Sequence, residues 1–198
     1  MMELEVNIEF EKANESHKTI VMNWLNEPHV MEFWDNSQGH KDDIVKFIEG
    51  RIEPSKYANG LYTYWIGSMD GIPYCMIMTI KEEPGVERAS IKDSYLSKTG
   101  TTYSIDYMIG NTDFIGRGLG SKTLDVFTTF FQKSIEPNAD TFFIDPDLTN
   151  PRAKRVYKKA GFKFIDNFIM DGGGVFAGKV SSFMVKKRIN NIILPDHS

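Results

Sequence analysis

The sequence predicts an α/β domain, a mixed sheet with helices on its faces, and three observations lead there. Segments that alternate polar and apolar residues recur along the chain. Four amphipathic helical patterns lie between them, two of them bounded by clear start and stop signals. One glycine-rich turn joins a strand directly to a helix. At 198 residues, with 41% hydrophobic and 13% aromatic content, the chain suffices for one domain with a substantial core. Residues 1–189 read as that domain and 190–198 as a C-terminal tail.

Val6, Ile8 and Phe10 alternate with polar neighbours from Glu5 onward, the pattern of a half-buried first strand. Asn14 or Ser16 can cap a helix in which His17, Ile20, Val21, Trp24 and Leu25 recur at helical spacing, ending before Pro28. An aromatic, partly acidic connection runs from Pro28 to Trp34. Asp42 then opens a second helix with Ile44, Val45, Ile48 and Ile52 on one face. Tyr62–Ser68 and Ile72–Ile80 read as the strands of a hairpin about Met69, Asp70 and Gly71. Residues 82–101 are polar and turn-rich, a long loop with room for a short helix.

In the strand Tyr103–Ile109, Ile105, Tyr107 and Ile109 share one face while Ser104, Asp106 and Met108 share the other. A carboxylate buried there without a partner costs several kcal/mol, so Asp106 needs a reason. Next come Gly116, Gly118 and Gly120, and then a helix with Leu124, Phe127 and Phe131 in a stripe widened by Val126 and Phe130. Thr141–Asp145 is a further strand. Asn150 and Pro151 open the last helix and Gly161 closes it, with Val156 and Tyr157 facing inward and a basic outer surface. Phe162–Ile169 and Lys179–Lys186 read as a final antiparallel pair around Asp171–Gly174.

Bulk properties narrow the function. No apolar run reaches membrane-spanning length and the N-terminus is acidic rather than leader-like, so a cytoplasmic location without membrane contact is expected. A net charge of -4 argues against nucleic acid and favours a small cationic partner. The single Cys75 excludes an internal disulfide and reads as a buried, inert thiol. No histidine or cysteine cluster has metal spacing, so no metal is expected, and His17, His29, His40 and His197 read as structural. A monomer or homodimer is expected.

The strand, glycine turn and helix start together suggest an anion site, since the helix presents free N–H groups and its positive dipole end to the loop. Three nucleotide-type patterns compete for it. A P-loop requires glycine, lysine and serine in that order, whereas Gly120, Ser121 and Lys122 place the lysine last. A dinucleotide fingerprint requires G-x-G-x-x-G, and this turn is G-x-G-x-G. The third is an acyl-coenzyme A loop of the form (Arg/Gln)-x-x-Gly-x-(Gly/Ala), which Ile115-Gly116-Arg117-Gly118-Leu119-Gly120 follows except that Ile115 stands first.

Four segments, Trp24–Trp34, Ile105-Asp106, Ile115–Ser121 and Asp145–Phe162, follow in the order of the GNAT acetyltransferases, which the chain resembles. Within that group it is similar to the aminoglycoside 6'-N-acetyltransferases; Asn150, Arg152, Ala153, Tyr157, Gly161 and Phe162 all fall on the family pattern. The siderophore N-acyltransferases share the first and last segments but carry a histidine near the position of Asp106, which this chain lacks. The resemblance implies a mixed, mostly antiparallel central sheet flanked by helices, with acetyl-CoA as acyl donor. It implies as acceptor a primary amine of a small cationic molecule, an aminoglycoside 6'-amine foremost. A siderophore N-acyltransferase and a non-catalytic acyl-CoA-binding domain stand as alternatives.

Acetyl transfer to an amine needs a held donor, a deprotonated amine, a polarised carbonyl and a proton for the departing thiolate. By resemblance, Ile115, Gly116, Arg117, Gly118, Leu119, Gly120 and Ser121 would hold the pyrophosphate. The backbone of Tyr107, Met108 and Ile109 would pair with the pantetheine arm, and Asn150, Ala153 and Arg155 would contact it from the helix. Asp106 would accept the ammonium proton and Tyr157 would protonate the thiolate. Glu32, Trp34, Asp35 and Asp145 would meet a polycationic acceptor.

Overall fold

The computed structural model describes residues 7–54, 56–57, 61–85, 90–170 and 175–188. Strand β1 (Ile8–Lys12) leads into helices α1 (Lys18–Trp24), α2 (Pro28–Met31) and α3 (Gln38–Ile48). Strands β2 (Thr63–Met69), β3 (Ile72–Glu82) and β4 (Thr101–Ile109) follow, then helix α4 (Leu119–Phe130) and strand β5 (Ala139–Ile144). Helix α5 (Pro151–Lys159) and strands β6 (Lys163–Ile169) and β7 (Val180–Lys187) are the last elements among the described residues. The strands form one sheet in the order β1-β2-β3-β4-β5-β7-β6.

Strand alternation sorts two cores onto the two sheet faces. Trp65, Ile77 and Ile105 point to one face and meet Leu124, Phe127 and Phe131 of the α4 region together with Tyr157 and Ala160 of the α5 region. Tyr64, Ile66, Met76, Met78 and Met108 point to the other and meet Val21, Trp24, Ile44 and Ile48 of α1 and α3. Asp106 therefore belongs to the α1–α3 face, although the glycine turn and α4 lie behind the sheet.

Several expectations shift in register. Ser37, not Asp42, caps α3, accepting from the His40 N–H at 3.3 Å, and Asp42 instead takes a hydrogen bond from Gln38 on the exposed side. The helix ends at Ile48, so Ile52 stands 95% exposed rather than on the apolar face. Asp70 and Gly71 both have positive φ, 51° and 78°, the geometry a tight two-residue hairpin demands. β7 lies between β5 and β6, an order that local patterning did not reveal. The expected loop 82–101 contains a 3-10 turn, Ile91–Tyr95, among its described residues. The expected turn Asp171–Gly174, residues Glu5 and Val6, and the tail lie outside the described residues.

One irregularity positions everything that follows. β4 pairs with β3 from Thr102 to Ile109, but with β5, in parallel, only from Thr101 to Ser104. Beyond Ser104 the two parallel strands separate. β5 stays with β7, and Pro146, which has no N–H to donate, interrupts its ladder just past Ile144. A slot opens through the sheet, with Asp106–Ile109 on one bank and Ile144–Asp147 on the other.

Candidate active site

The floor of the slot is set by backbone. After β4, Gly110 lies beneath the Trp24 ring, so close that a Cβ there would fall 2.1 Å from it. Asn111 then caps a 3-10 turn, Thr112–Phe114, by accepting from the Asp113 N–H at 3.0 Å. Gly116 (φ 80°) and Gly118 (φ 75°) adopt left-handed backbone that other residues resist, and Gly118 is the N-cap of α4. A Cβ on either would meet nothing within 4 Å, so these two glycines serve backbone shape and leave the amides open above them. Gly120 differs: a Cβ there would lie 2.9 Å from Val156 Cγ1, and its absence lets α4 and α5 approach closely. Asn150 caps α5 by accepting the Ala153 N–H at 3.0 Å, its amide nitrogen left over for another partner. Two helix N-termini thus converge on one crevice, a site suited to an extended anion.

The crevice is a cavity of about 680 Å3 that passes through the slot. It brings together Asp106, Tyr107, Met108 and Ile109 of β4 with Ile115, Gly116, Gly118, Leu119, Gly120 and Ser121 of the loop and helix. Asn150, Ala153 and Tyr157 of α5 line it, with Asp145 past the end of β5 and Glu32 and Trp34 after α2. Three of the sequence-expected residues stand outside it. Arg117 rests on Phe114, its guanidinium 5.4 Å from the ring centroid, and does not itself line the cavity. Arg155 is exposed on the outer side of α5. Asp35 is buried and committed internally, accepting from the Ser37 N–H at 2.8 Å and the Tyr57 hydroxyl at 2.8 Å.

Other lining residues were not anticipated. His29 reaches the Ile109 carbonyl with Nε2 at 2.8 Å, joining α2 to the open bank of β4. Arg152 and Lys159 bring positive charge from α5, and Met170 and Phe176 enter from the final hairpin. The basic α5 surface was visible in sequence, but which of its cations reach the cavity follows only from the helix's orientation.

Electrostatics single out Asp106. Burial first, then the nearby Asp145 carboxylate, push its carboxyl up to about 7, against the pull of Lys92. Burial, with Asp106 and Asp145 adding to it, raises the Tyr157 phenol far above neutrality, so it stays protonated. Tyr62 is raised in the same way, by burial and then by Asp106. Asp145 is not free: Lys92 Nζ stands 3.3 Å from its Oδ2. Cys75 is buried on β3 and pushed up to about 12 by that burial, an unreactive thiol. The site therefore offers a carboxyl that titrates near neutrality, a phenol that remains an acid and no nucleophilic sulfur.

Residues 13–170 match the family described as the acetyltransferase (GNAT) domain. The aminoglycoside N(6')-acetyltransferase type 1 of Klebsiella pneumoniae is 24% identical over 152 residues, 71% of this chain, and the chain spans 66% of that relative's length. The aminoglycoside N(6')-acetyltransferase of Legionella pneumophila superposes with a TM-score of 0.70 at 24% identity, over 93% of this chain and 94% of that one. AAC(6')-Ib in complex with paromomycin and acetyl-CoA gives a TM-score of 0.68 at 21% identity, over 92% and 94%. At these identities the solved structures establish the likeness of fold.

Proposed function

The chain belongs to the GNAT acetyltransferase family, and on that premise we propose that it transfers an acetyl group from acetyl-CoA to a primary amine of a small cationic acceptor, an aminoglycoside 6'-amine. The observation that carries this reading is the position of Asp106. It stands on the open bank of the slot, with a glycine-lined helix start behind it and an acidic, aromatic recess in front. The 6'-specificity is supported by the relatives, which are named for acetylation at that amine.

The residues present fit a CoA thioester. Open backbone over Gly116 and Gly118 and two converging helix N-termini suit a pyrophosphate. The edge of β4 left unpaired past Ser104 suits an amide-bearing pantetheine arm, taken up as an added strand would be. When bound, this group supplies an activated acyl carbon. The protein's own residues supply the rest. Backbone N–H groups of Tyr107–Ile109 orient and polarise the thioester oxygen. Asp106, ionised above about pH 7, receives the proton of the acceptor ammonium. Tyr157, held protonated, gives its proton to the departing sulfur. Cys75, buried and protonated, offers no acyl-cysteine route, so the amine attacks directly.

Thiol release from acetyl-CoA in the presence of an aminoglycoside panel tests the proposal. Turnover with 6'-amino but not 6'-hydroxy members supports it; no release with any member overturns the aminoglycoside assignment. On this mechanism kcat/KM rises with pH as Asp106 loses its proton, with a midpoint near 7.

A further inference from the structure

Within the expected loop 82–101, Ser90 and Asp93 clasp the turn Ile91–Tyr95 in a capping box: the Ser90 N–H donates to Asp93 at 2.9 Å and the Lys92 N–H to Ser90 Oγ at 3.2 Å. Ile91, Tyr95 and Leu96 pack on Phe143, Phe183 and Val185, with the Tyr95 ring edge-on to Phe183 at 5.6 Å. This clamp sends Lys92 inward. Its side chain is only 23% exposed, its ammonium 3.3 Å from Asp145 Oδ2 and 3.5 Å from Glu82 Oε1. Glu82 also accepts a hydrogen bond from the Ser104 hydroxyl. Asp106 follows Ser104 on the same face of β4, and no cation lies within salt-bridge distance of it among the described residues.

Three carboxylates, Glu82 on β3, Asp106 on β4 and Asp145 just past β5, thus lie around one lysine, and its reach selects two of them. We propose that Lys92 is a tethered counter-cation of the acceptor pocket, a positioning residue that fills the cation place between Glu82 and Asp145 and leaves Asp106 to meet the acceptor's ammonium. This rests on the transferase reading above. Without a counter-charge, three acids so near one another could not all stay ionised. With Lys92 in place, Glu82 and Asp145 both contact its ammonium, and Asp106 is the carboxylate left to take the incoming proton. A second ammonium on the acceptor finds Asp145 already engaged. The charged and titratable groups that bear on Asp106 are Glu82 from β3, Asp145 beyond β5, Lys92, Tyr57 and Tyr62 ahead of β2, and Tyr157 from α5. The three tyrosines stay neutral, so the lysine is the adjustable charge.

The test follows aspartate carboxyl carbons by NMR across pH in wild type, Lys92→Met and Lys92→Arg, with no donor or acceptor added. Expected is an Asp106 midpoint higher by about one pH unit in Lys92→Met, restored in Lys92→Arg. In Lys92→Ala, n-propylammonium chloride should shift the Asp145 resonance and bring the Asp106 midpoint back down, while leaving wild type unchanged. An unmoved Asp106 midpoint in Lys92→Met, or Lys92→Arg behaving like Lys92→Met, overturns the proposal. If Lys92→Met loses its native spectrum, Lys92→Gln, which keeps hydrogen-bonding capacity without charge, is read by the same two outcomes. Because no turnover is measured, an inactive wild type would overturn the transferase reading alone, and an unmoved midpoint the role of Lys92 alone.

Discussion

The two sides of the slot are built from different materials. Behind the sheet, the side proposed to take the pyrophosphate is mostly backbone: two left-handed glycines, two helix starts and one capping asparagine. In front, the side proposed for the acceptor is made of side chains drawn from distant segments: Glu32 and Trp34 after α2 and Asp145 past β5 line the cavity, Lys92 from the 3-10 turn holds Asp145, and Tyr57 and Tyr62 before β2 lie near enough to Asp106 to feel its charge. Backbone sites tolerate change in side chains that do not alter φ. Side-chain charge networks depend on every partner being present.

The largest expected effect lies among the buried charges on the α1–α3 face of the sheet. Arg51 pairs with the buried Asp43, which also receives the Tyr64 hydroxyl at 2.7 Å, and donates to the Tyr62 carbonyl at 2.7 Å. Arg51→Met strands that carboxylate and should destabilise folding by about 3–5 kcal/mol, measured by urea denaturation. A loss below about 1 kcal/mol would mean that this side is as tolerant as the other.

Asp106→Asn should lower kcat by about 10²-fold or more, with acetyl-CoA binding by calorimetry little changed. Unchanged turnover would remove Asp106 from the chemistry. The same variant has an opposite signature in stability. A folded carboxyl at about 7 binds more protons than an unfolded one near 4, so wild-type stability falls as pH rises between those values. Asp106→Asn should flatten that decline in thermal melts at pH 5 and pH 8, gaining relative to wild type at the higher pH.

Tyr157→Phe should reduce kcat about tenfold, most strongly with acceptors that leave sulfur departure rate-limiting, and should leave acceptor KM unchanged. Smallest is Gly118→Ala, on the backbone side. The left-handed φ costs about 1 kcal/mol with alanine, and the space around Gly118 is empty, so a few-fold rise in acetyl-CoA KM at constant kcat is expected. A loss as large as that of Asp106→Asn would show that the glycine loop does more than hold the donor.

The same division explains what could be read in the sequence. The glycine turn, the Asn150-Pro151 helix start and the alternation around Asp106 are local signals, and each appears within a residue or two of its expected place. The acceptor side resisted. Asp35 looked like a loop acid beside an aromatic residue, yet Tyr57, twenty-two positions away, takes it inward. Lys92 lies in a stretch that reads as a polar loop with room for a short helix; its reach to Glu82 and Asp145 depends on how the turn clasped by Ser90 and Asp93 sits on β5 and β7. Arg117 was expected by resemblance at the pyrophosphate and Arg155 at the pantetheine arm; Arg117 instead rests on the Phe114 ring, and the orientation of α5 leaves Arg155 exposed. The placement of β7 between β5 and β6 is likewise non-local, and no strand pattern announces it.

The brevity of the β4–β5 pairing has a kinetic corollary. Four paired positions hold the sheet together at one end, and beyond them the cavity is lined by elements from both faces of the sheet. On the proposed function, donor and acceptor would approach the reacting centre from opposite faces, so that neither blocks the other's path. Addition can proceed in either sequence, and a dead-end analogue of one should be noncompetitive against the other in steady-state kinetics.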